Sequence, residues 1–311
     1  MIGSAASLGN LHRSVRTSRP LRLVLACALA IVLTGCKDVF FAAVNSVDTP
    51  RNVAIHKNLE FDGPHRLDLD AYAPANASAA PVVVFFYGGS WDSGKRKWYS
   101  YVGRTLANNG IVTFIPDYRK YPDVQFPEFV NDAAVAVRWA RDHATEFGGD
   151  PSRVYVMGHS AGGQIAALVA CDARYLRSVD MQPHDLSGMI GLAGAYSFLP
   201  FVEREPEIFG ASERSQHDSQ PINFVNGDEP PLLLLQGTDD DEVEPSNAQN
   251  MAARAHAIGA PAELKLYPGI GHASIILSLA RGHRSKSSTL DDILDFIKHP
   301  RGNAIGSSTA P

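Results

Sequence analysis

Val154-Tyr155-Val156-Met157-Gly158-His159-Ser160-Ala161-Gly162-Gly163-Gln164-Ile165 is the stretch that decides the fold. A short apolar run of strand type enters a Gly-x-Ser-x-Gly turn, and an Ala-rich segment with helical character, Ala161 to Cys171, leaves it. A Ser on a strand-to-helix turn can act as a nucleophile. The turn must be sharp and strained to expose the hydroxyl, so the neighbours must be small. The helix that begins at this turn also points backbone N–H groups at the reacting centre.

Outward from this turn, Val82–Phe86, Ile111–Ile115, Met189–Leu192 and Leu232–Leu235 are short apolar runs without polar alternation. That pattern suits parallel strands buried on both faces. Ala262–Tyr267 reads as a further strand. Helices are expected over Phe126–Ala144, where Val130, Ala133, Val137 and Ala140 recur at helical spacing and Gly148-Gly149 stops the run, and over Ala161–Cys171, Asn247–Ile258 and Leu290–Ile297. Strands alternating with helices imply an α/β class with a mostly parallel central sheet flanked by helices. Ahead of it, Val53–Phe61, Asp62-Gly63 and Arg66–Tyr72 read as a hairpin. Its second strand alternates Leu67, Leu69 and Ala71 with Asp68 and Asp70, as a half-buried strand would. The long irregular segment Ser197–Pro231 is expected to form a small partial cap, with Phe198, Phe201 and Phe224 suggesting an apolar wall.

Three other segments complete a chemistry around Ser160. Tyr87-Gly88-Gly89-Ser90-Trp91 follows the Val82–Phe86 strand, and a Gly pair there lets backbone N–H groups turn towards a developing oxyanion. Gly89, Ser90 and Ala161 are the favoured donors, with Gly88 a further candidate. A Ser hydroxyl needs a base within about 3 Å, and that base needs an orienting acid. Gln236-Gly237-Thr238-Asp239-Asp240-Asp241-Glu242-Val243 follows a buried strand and offers four acids, among which spacing alone leaves the choice open. His272, in Pro268-Gly269-Ile270-Gly271-His272, is the candidate base. His283 sits between Arg281-Gly282 and Arg284, which disfavours an imidazolium, and His299 follows the last helix as a surface residue.

The chain has 311 residues, 45% hydrophobic and 20% charged, a globular composition. A formal net charge of −5 and the lack of a Lys/Arg block argue against nucleic acid as a partner. No His and Cys cluster has ligand spacing, so neither a metal nor a cofactor is expected. The N-terminus differs from the rest. Arg13, Arg16, Arg19 and Arg22 precede an apolar run from Leu23 to Leu33, then Thr34-Gly35-Cys36, the layout of a secretory signal peptide. The run is about half the ~20 residues that span a bilayer. The expected organisation is a signal peptide over 1–35, a tether over 36–52, a catalytic domain over 53–300 and a disordered tail over 301–311. Cys27 would leave with the signal, and Cys171, after the Ala-rich helix, reads as a buried apolar residue.

From about Ala54 to Pro300 these segments resemble the α/β-hydrolase superfamily. Within it they look most like hormone-sensitive-lipase-related carboxylesterases, with prenylcysteine methylesterase and kynurenine formamidase relatives nearest in appearance. Tyr87-Gly88-Gly89-Ser90-Trp91 is similar to the family's His-Gly-Gly-x-Trp, and Asp117-Tyr118-Arg119-Lys120-Tyr121-Pro122 to its Asp-Tyr-Arg-x-x-Pro. Gly149-Asp150-Pro151-Ser152-Arg153-Val154 precedes the nucleophile as it does there. The resemblance implies Asp240 as the acid, from Gly-x-x-Asp-x-x-Val, and His272 as the base. Tyr87 departs from the family's His, which props the oxyanion loop without reacting. Leu33-Thr34-Gly35-Cys36 resembles the bacterial lipobox, which implies lipidation of Cys36 and an exported protein anchored to a membrane. Lys37 after the Cys, and not Asp, favours the outer membrane. The activity implied is hydrolysis of small or short-chain carboxylic esters through an acyl-enzyme. An amidase or formamidase on the same residues is the second reading. A non-catalytic binding lipoprotein is the third, opposed by the presence of every triad residue and elbow glycine.

Overall fold

In the computed structural model, which describes residues 37–47 and 52–299, eight strands form one sheet in the order β1-β2-β4-β3-β5-β6-β7-β8. β1 (Val53–Asp62) and β2 (Leu67–Pro74) make an antiparallel hairpin, and β2 runs antiparallel to β4 (Val112–Pro116). β3 (Ala80–Phe86), β4, β5 (Gly149–His159), β6 (Gly188–Leu192), β7 (Leu232–Gly237) and β8 (Ala262–Tyr267) are parallel. Every residue of β4, β6 and β7 is buried, which is why their sequences carry no polar alternation. β8 closes the edge and stays half-exposed, with Lys265 bridging to Glu263 at 2.8 Å.

The winding reverses between β3 and β5. The chain steps from β3 out to β4 and returns to β5 on the other side of β3. In open α/β sheets the crevice outside the carboxyl ends of the strands at such a point is where ligands bind. The helices are α1 (residues 37–47), α2 (Ser100–Asn108), α3 (Glu128–His143), α4 (Ala161–Cys171), α5 (Ala173–Arg177), α6 (Glu205–Phe209), α7 (Glu213–Asp218), α8 (Ser246–Ala257), α9 (His272–Leu277) and α10 (Thr289–Lys298). α4 has the bounds expected from the sequence and is buried along its whole length. Burying side chains such as Ile165, Leu168 and Val169 contributes about 2 kcal/mol each.

Several elements differ from their sequence reading, the short helices α5, α6, α7 and α9 among them. α2 had no expected counterpart. Its polar residues Ser100 and Thr105 are buried together with Tyr101, Val102 and Leu106, which blurs the apolar stripe, and Thr105 donates to the Leu279 carbonyl at 3.0 Å. β2 is not half-buried: Asp70 is 4% exposed because Arg96 reaches over it at 3.0 Å. The stretch expected as a tether is helical over residues 37–47. Within it, Asn45 donates to the Lys97 carbonyl at 3.1 Å and accepts from Arg104 at 3.2 Å. Cys27, Cys36, the expected signal peptide and the 301–311 tail lie outside the described residues.

Candidate active site

Ser160 sits between the end of β5 and the first turn of α4, with φ 56° and ψ −125°. A non-glycine residue there costs on the order of 1–3 kcal/mol, which the surrounding packing must offset. The glycines make that packing possible. A Cβ on Gly158 would lie 2.0 Å from the Gly162 carbonyl oxygen, and one on Gly162 would lie 2.1 Å from the Phe86 carbonyl oxygen. The elbow is pinned to the sheet through the Ser160 N–H, which donates to the Leu192 carbonyl at 3.0 Å. Ala161 opens α4, and a first-turn amide has no intrahelical acceptor.

The loop after β3 supplies the facing wall. Gly89, Ser90 and Trp91 all have positive φ (143°, 49° and 58°), and the Gly89 carbonyl accepts from the amides of Asp92 at 3.1 Å and Ser93 at 2.9 Å. Ser90 and Ala161 line one cavity with Ser160 and His272. Gly88 is buried beneath them, with its backbone hydrogen-bonded to the Tyr99 hydroxyl. Tyr87, in the place of the family's His, props this loop by other means. Its hydroxyl donates to Asp117 at 2.8 Å and accepts from Lys120 at 3.0 Å, and its ring stacks on Tyr118 at 4.7 Å. Burial and the nearby Asp117 push the Tyr87 hydroxyl well above its ordinary range, so it remains a donor. Tyr118 returns a bond to the Tyr87 carbonyl at 2.8 Å, and Arg96 pairs with Asp117. Asp117, Tyr118 and Lys120 therefore hold the start of the loop after β3 through Tyr87.

Of the four crowded acids, the structure brings Asp240 to the imidazole. His272 Nδ1 lies 2.9 and 3.1 Å from the two Asp240 carboxylate oxygens, and both residues are buried. Asp240 also accepts from Gln236 at 2.9 Å and from the amides of Val243 at 2.9 Å and Glu242 at 3.1 Å. Burial pushes its carboxyl up, but the hydrogen bonds from His272, Val243 and Gln236 outweigh this and hold it below the ordinary carboxylate range. The loops that carry the pair interlock: Asp239 N–H donates to the Ile270 carbonyl at 3.1 Å and Thr238 N–H to the Tyr267 carbonyl at 3.0 Å. His272 itself is the first residue of α9. Asp239 and Asp241 are exposed, with Asp239 accepting from Thr238 at 2.8 Å. Glu242 is 68% exposed, yet its carboxylate lies 3.8 Å from His272 Nε2.

Three supporting residues carried only faint sequence signals. His159, inside the Ser motif, has Nε2 3.1 Å from the His272 carbonyl, and burial together with His272 pushes its pKa down to about 3, so it is a neutral strut. Gln164 accepts from Trp91 Nε1 at 3.0 Å and donates to the Ser219 carbonyl at 2.9 Å, tying the loop after β3, α4 and the cap together. A lone polar residue in a helix of Ala, Ile and Leu was its signal. Gln236, at the end of the apolar β7 run, is the same kind of signal.

The cavity has a volume of about 590 Å³ and is walled on one side by the Ser197–Pro231 segment through Phe198, Leu199, Pro200 and Val202. Phe198 stacks on Trp91 at 5.6 Å, and Phe201 stacks on Phe209 at 5.4 Å. Phe224 was expected in this wall but packs with His217 at 5.7 Å and Arg174 at 5.0 Å. Asp62, His65 and Asp132 bring one ligand-type atom each within 4.8 Å of one another, but Arg119 already neutralises Asp132 at 2.6 Å. Cys171 is a free, buried thiol held protonated by burial.

The chain has relatives among known proteins. A family model described as BD-FAE matches residues 69–254. The "Probable isoprenylcysteine alpha-carbonyl methylesterase ICMEL1" of Arabidopsis thaliana is 28% identical over 278 residues, covering 82% of this chain and 58% of its own. Esterase LipC of Mycobacterium tuberculosis is 31% identical over 229 residues, covering 65% of this chain and 55% of its own. The chain thus spans a little over half the length of these two relatives. Among solved structures, esterase B of Lactobacillus rhamnosis superposes with a TM-score of 0.72 at 21% identity, covering 89% of this chain and 94% of that one, which shows the shared α/β-hydrolase fold.

Proposed function

The chain belongs to the BD-FAE family, and from that premise we propose that it is a serine hydrolase of small carboxylic esters, with Ser160, His272 and Asp240 as its triad. One observation carries this reading. A strained Ser160 opens onto the same cavity as a His272 that is bonded to a buried Asp240. The esterase names of the relatives favour ester over amide bonds.

In this mechanism Ser160 Oγ attacks the ester carbonyl while His272 Nε2 takes its proton. Asp240 accepts the Nδ1–H and stabilises the imidazolium that forms. The amides of Gly89, Ser90 and Ala161 face the oxyanion, each donor contributing about 3 kcal/mol in the transition state. Gly88 supports the loop from beneath. The imidazolium then protonates the departing alcohol, and water releases the acid from the acyl-enzyme. A cavity of about 590 Å³ suits a small ester. The test is a side-by-side assay of p-nitrophenyl esters of increasing acyl length and matched formyl anilides. The expected result is rapid turnover of short acyl esters and much slower turnover of anilides. Faster anilide cleavage would shift the assignment to an amidase.

We also propose that the enzyme works at a membrane, exported and held by lipid on Cys36, with the outer membrane favoured. The support is the sequence Leu33-Thr34-Gly35-Cys36 behind a basic and apolar leader. Among the described residues, no helix is long and apolar enough to cross a membrane. Buried acyl CH₂ groups contribute about 0.8 kcal/mol each, so a multiply acylated Cys is a sufficient anchor. Radiolabelled palmitate should enter the full chain in a bacterial host and be lost in Cys36→Ser. Equal labelling of both chains would remove Cys36 as the anchor.

A further inference from the structure

The cavity carries a charge that hydrolysis itself does not need. Its lining includes the carboxylates of Asp92, Glu203, Glu205, Glu242 and Glu244 against a single guanidinium, Arg204. Arg204 is paired with Asp92, so His272, when protonated, is the lining cation that the four glutamates face. The carboxylates at this mouth outnumber the guanidinium by five to one. Glu242 is the glutamate with a defined relation to the chemistry. Its carboxylate is 3.8 Å from His272 Nε2, the atom that hands a proton to the leaving alcohol. A group attached a few bonds beyond the leaving oxygen therefore passes Glu242. Glu244, next on the same loop, lines the same cavity. Phe198, stacked on Trp91, adds an apolar part to the same lining.

We propose that Glu242 is a specificity-determining residue that selects esters whose alcohol portion carries a cation and rejects those whose alcohol portion carries an anion. This rests on the ester-hydrolase reading above and names the substrate class of the same site. The physics is ordinary field focusing. A cleft lined by one sign of charge concentrates the opposite charge and repels its own. The glutamates are solvated, so salt weakens the effect, with a Debye length of about 8 Å at physiological ionic strength. The apolar wall receives the acyl chain, and the acidic mouth receives the alcohol.

The experiment compares three butyrate esters of one size. The first has an alcohol ending in a trimethylammonium group, the second its neutral tert-butyl isostere, and the third a carboxylate. At low salt, kcat/KM is expected to fall in that order, with about tenfold or more between the cation and the anion. The ratio should shrink as salt rises and shrink severalfold in Glu242→Gln. Equal rates for the three esters, or a faster anionic ester, would overturn the proposal. A second measurement keeps it separate from the ester-hydrolase reading: calorimetric binding of the matching non-hydrolysable ethers to Ser160→Ala. Tighter binding of the cationic ether supports the selection even if no ester is turned over, and equal binding overturns it even if every ester is.

Discussion

Ser160→Ala is expected to lower kcat/KM for a short-chain aryl ester by about four orders of magnitude or more, with little change in Tm. The size follows from what is removed. Without the hydroxyl there is no acyl-enzyme, and the paired His272 and Asp240 have nothing to activate. The proposed oxyanion donors of the Gly89–Ser90 loop and Ala161 are untouched by the change, so a residual acceleration over water is expected to persist. The fold should survive because the elbow is held by backbone groups, the Ser160 N–H on Leu192 and the Gly163 N–H on the Ser160 carbonyl at 2.8 Å. Steady-state kinetics and a thermal melt on the same preparation check both halves. Activity within tenfold of the unmodified chain would contradict the assignment.

Gly162→Ala is expected to act on the fold first. The added methyl would lie 2.1 Å from the Phe86 carbonyl oxygen and 2.6 Å from both the Phe86 carbonyl carbon and the Tyr87 carbonyl oxygen. These are backbone atoms at the end of β3, fixed by the parallel pairing of Val82, Val83 and Val84 with β4 and by the pairing of β3 with β5. A clash with backbone cannot be relieved by rotating a side chain. The cost should be about 3 kcal/mol or more, a fall in Tm of roughly 6 °C or more for a domain of this size. Activity should fall further than stability alone explains, because the displaced atoms lead into Gly88 and Gly89. A melt within about 1 °C of the unmodified chain would mean that the packing around the elbow is looser than described.

The central sheet was legible because its strands are buried on both faces. Val82–Phe86 and Leu232–Leu235 say so in their composition, and the same burial fixed α4 from Ala161 to Cys171. Legibility failed where distant residues exchange charge or hydrogen bonds. Asp70 alternates with apolar neighbours as a solvent-facing residue would, and Arg96, far along the chain, buries it. α2 was hidden because Thr105 answers to Leu279. At the site, the candidate residues could be read from turns and chain order, but the acid could not be chosen among Asp239, Asp240, Asp241 and Glu242 by spacing. The choice is made by Gln236 and the amides of Glu242 and Val243, which close around one carboxylate. Tyr87 shows a related limit. Its identity departs from the family pattern, and it holds the loop after β3 through bonds to Asp117 and Lys120 that its own position does not reveal. Glu242 is a solvent-exposed loop acid. Its proximity to His272 Nε2 exists only in three dimensions.

Covalent trapping distinguishes Ser160 from every other nucleophile in the chain. The chain is incubated with a fluorophosphonate, digested, and the modified peptide located by mass spectrometry. One adduct per chain is expected, on Ser160 within Val154–Gln164, formed in step with loss of ester hydrolysis and absent from Ser160→Ala. An adduct on any other residue that tracks the loss of activity, or full hydrolysis with no adduct at all, would contradict Ser160 as the nucleophile.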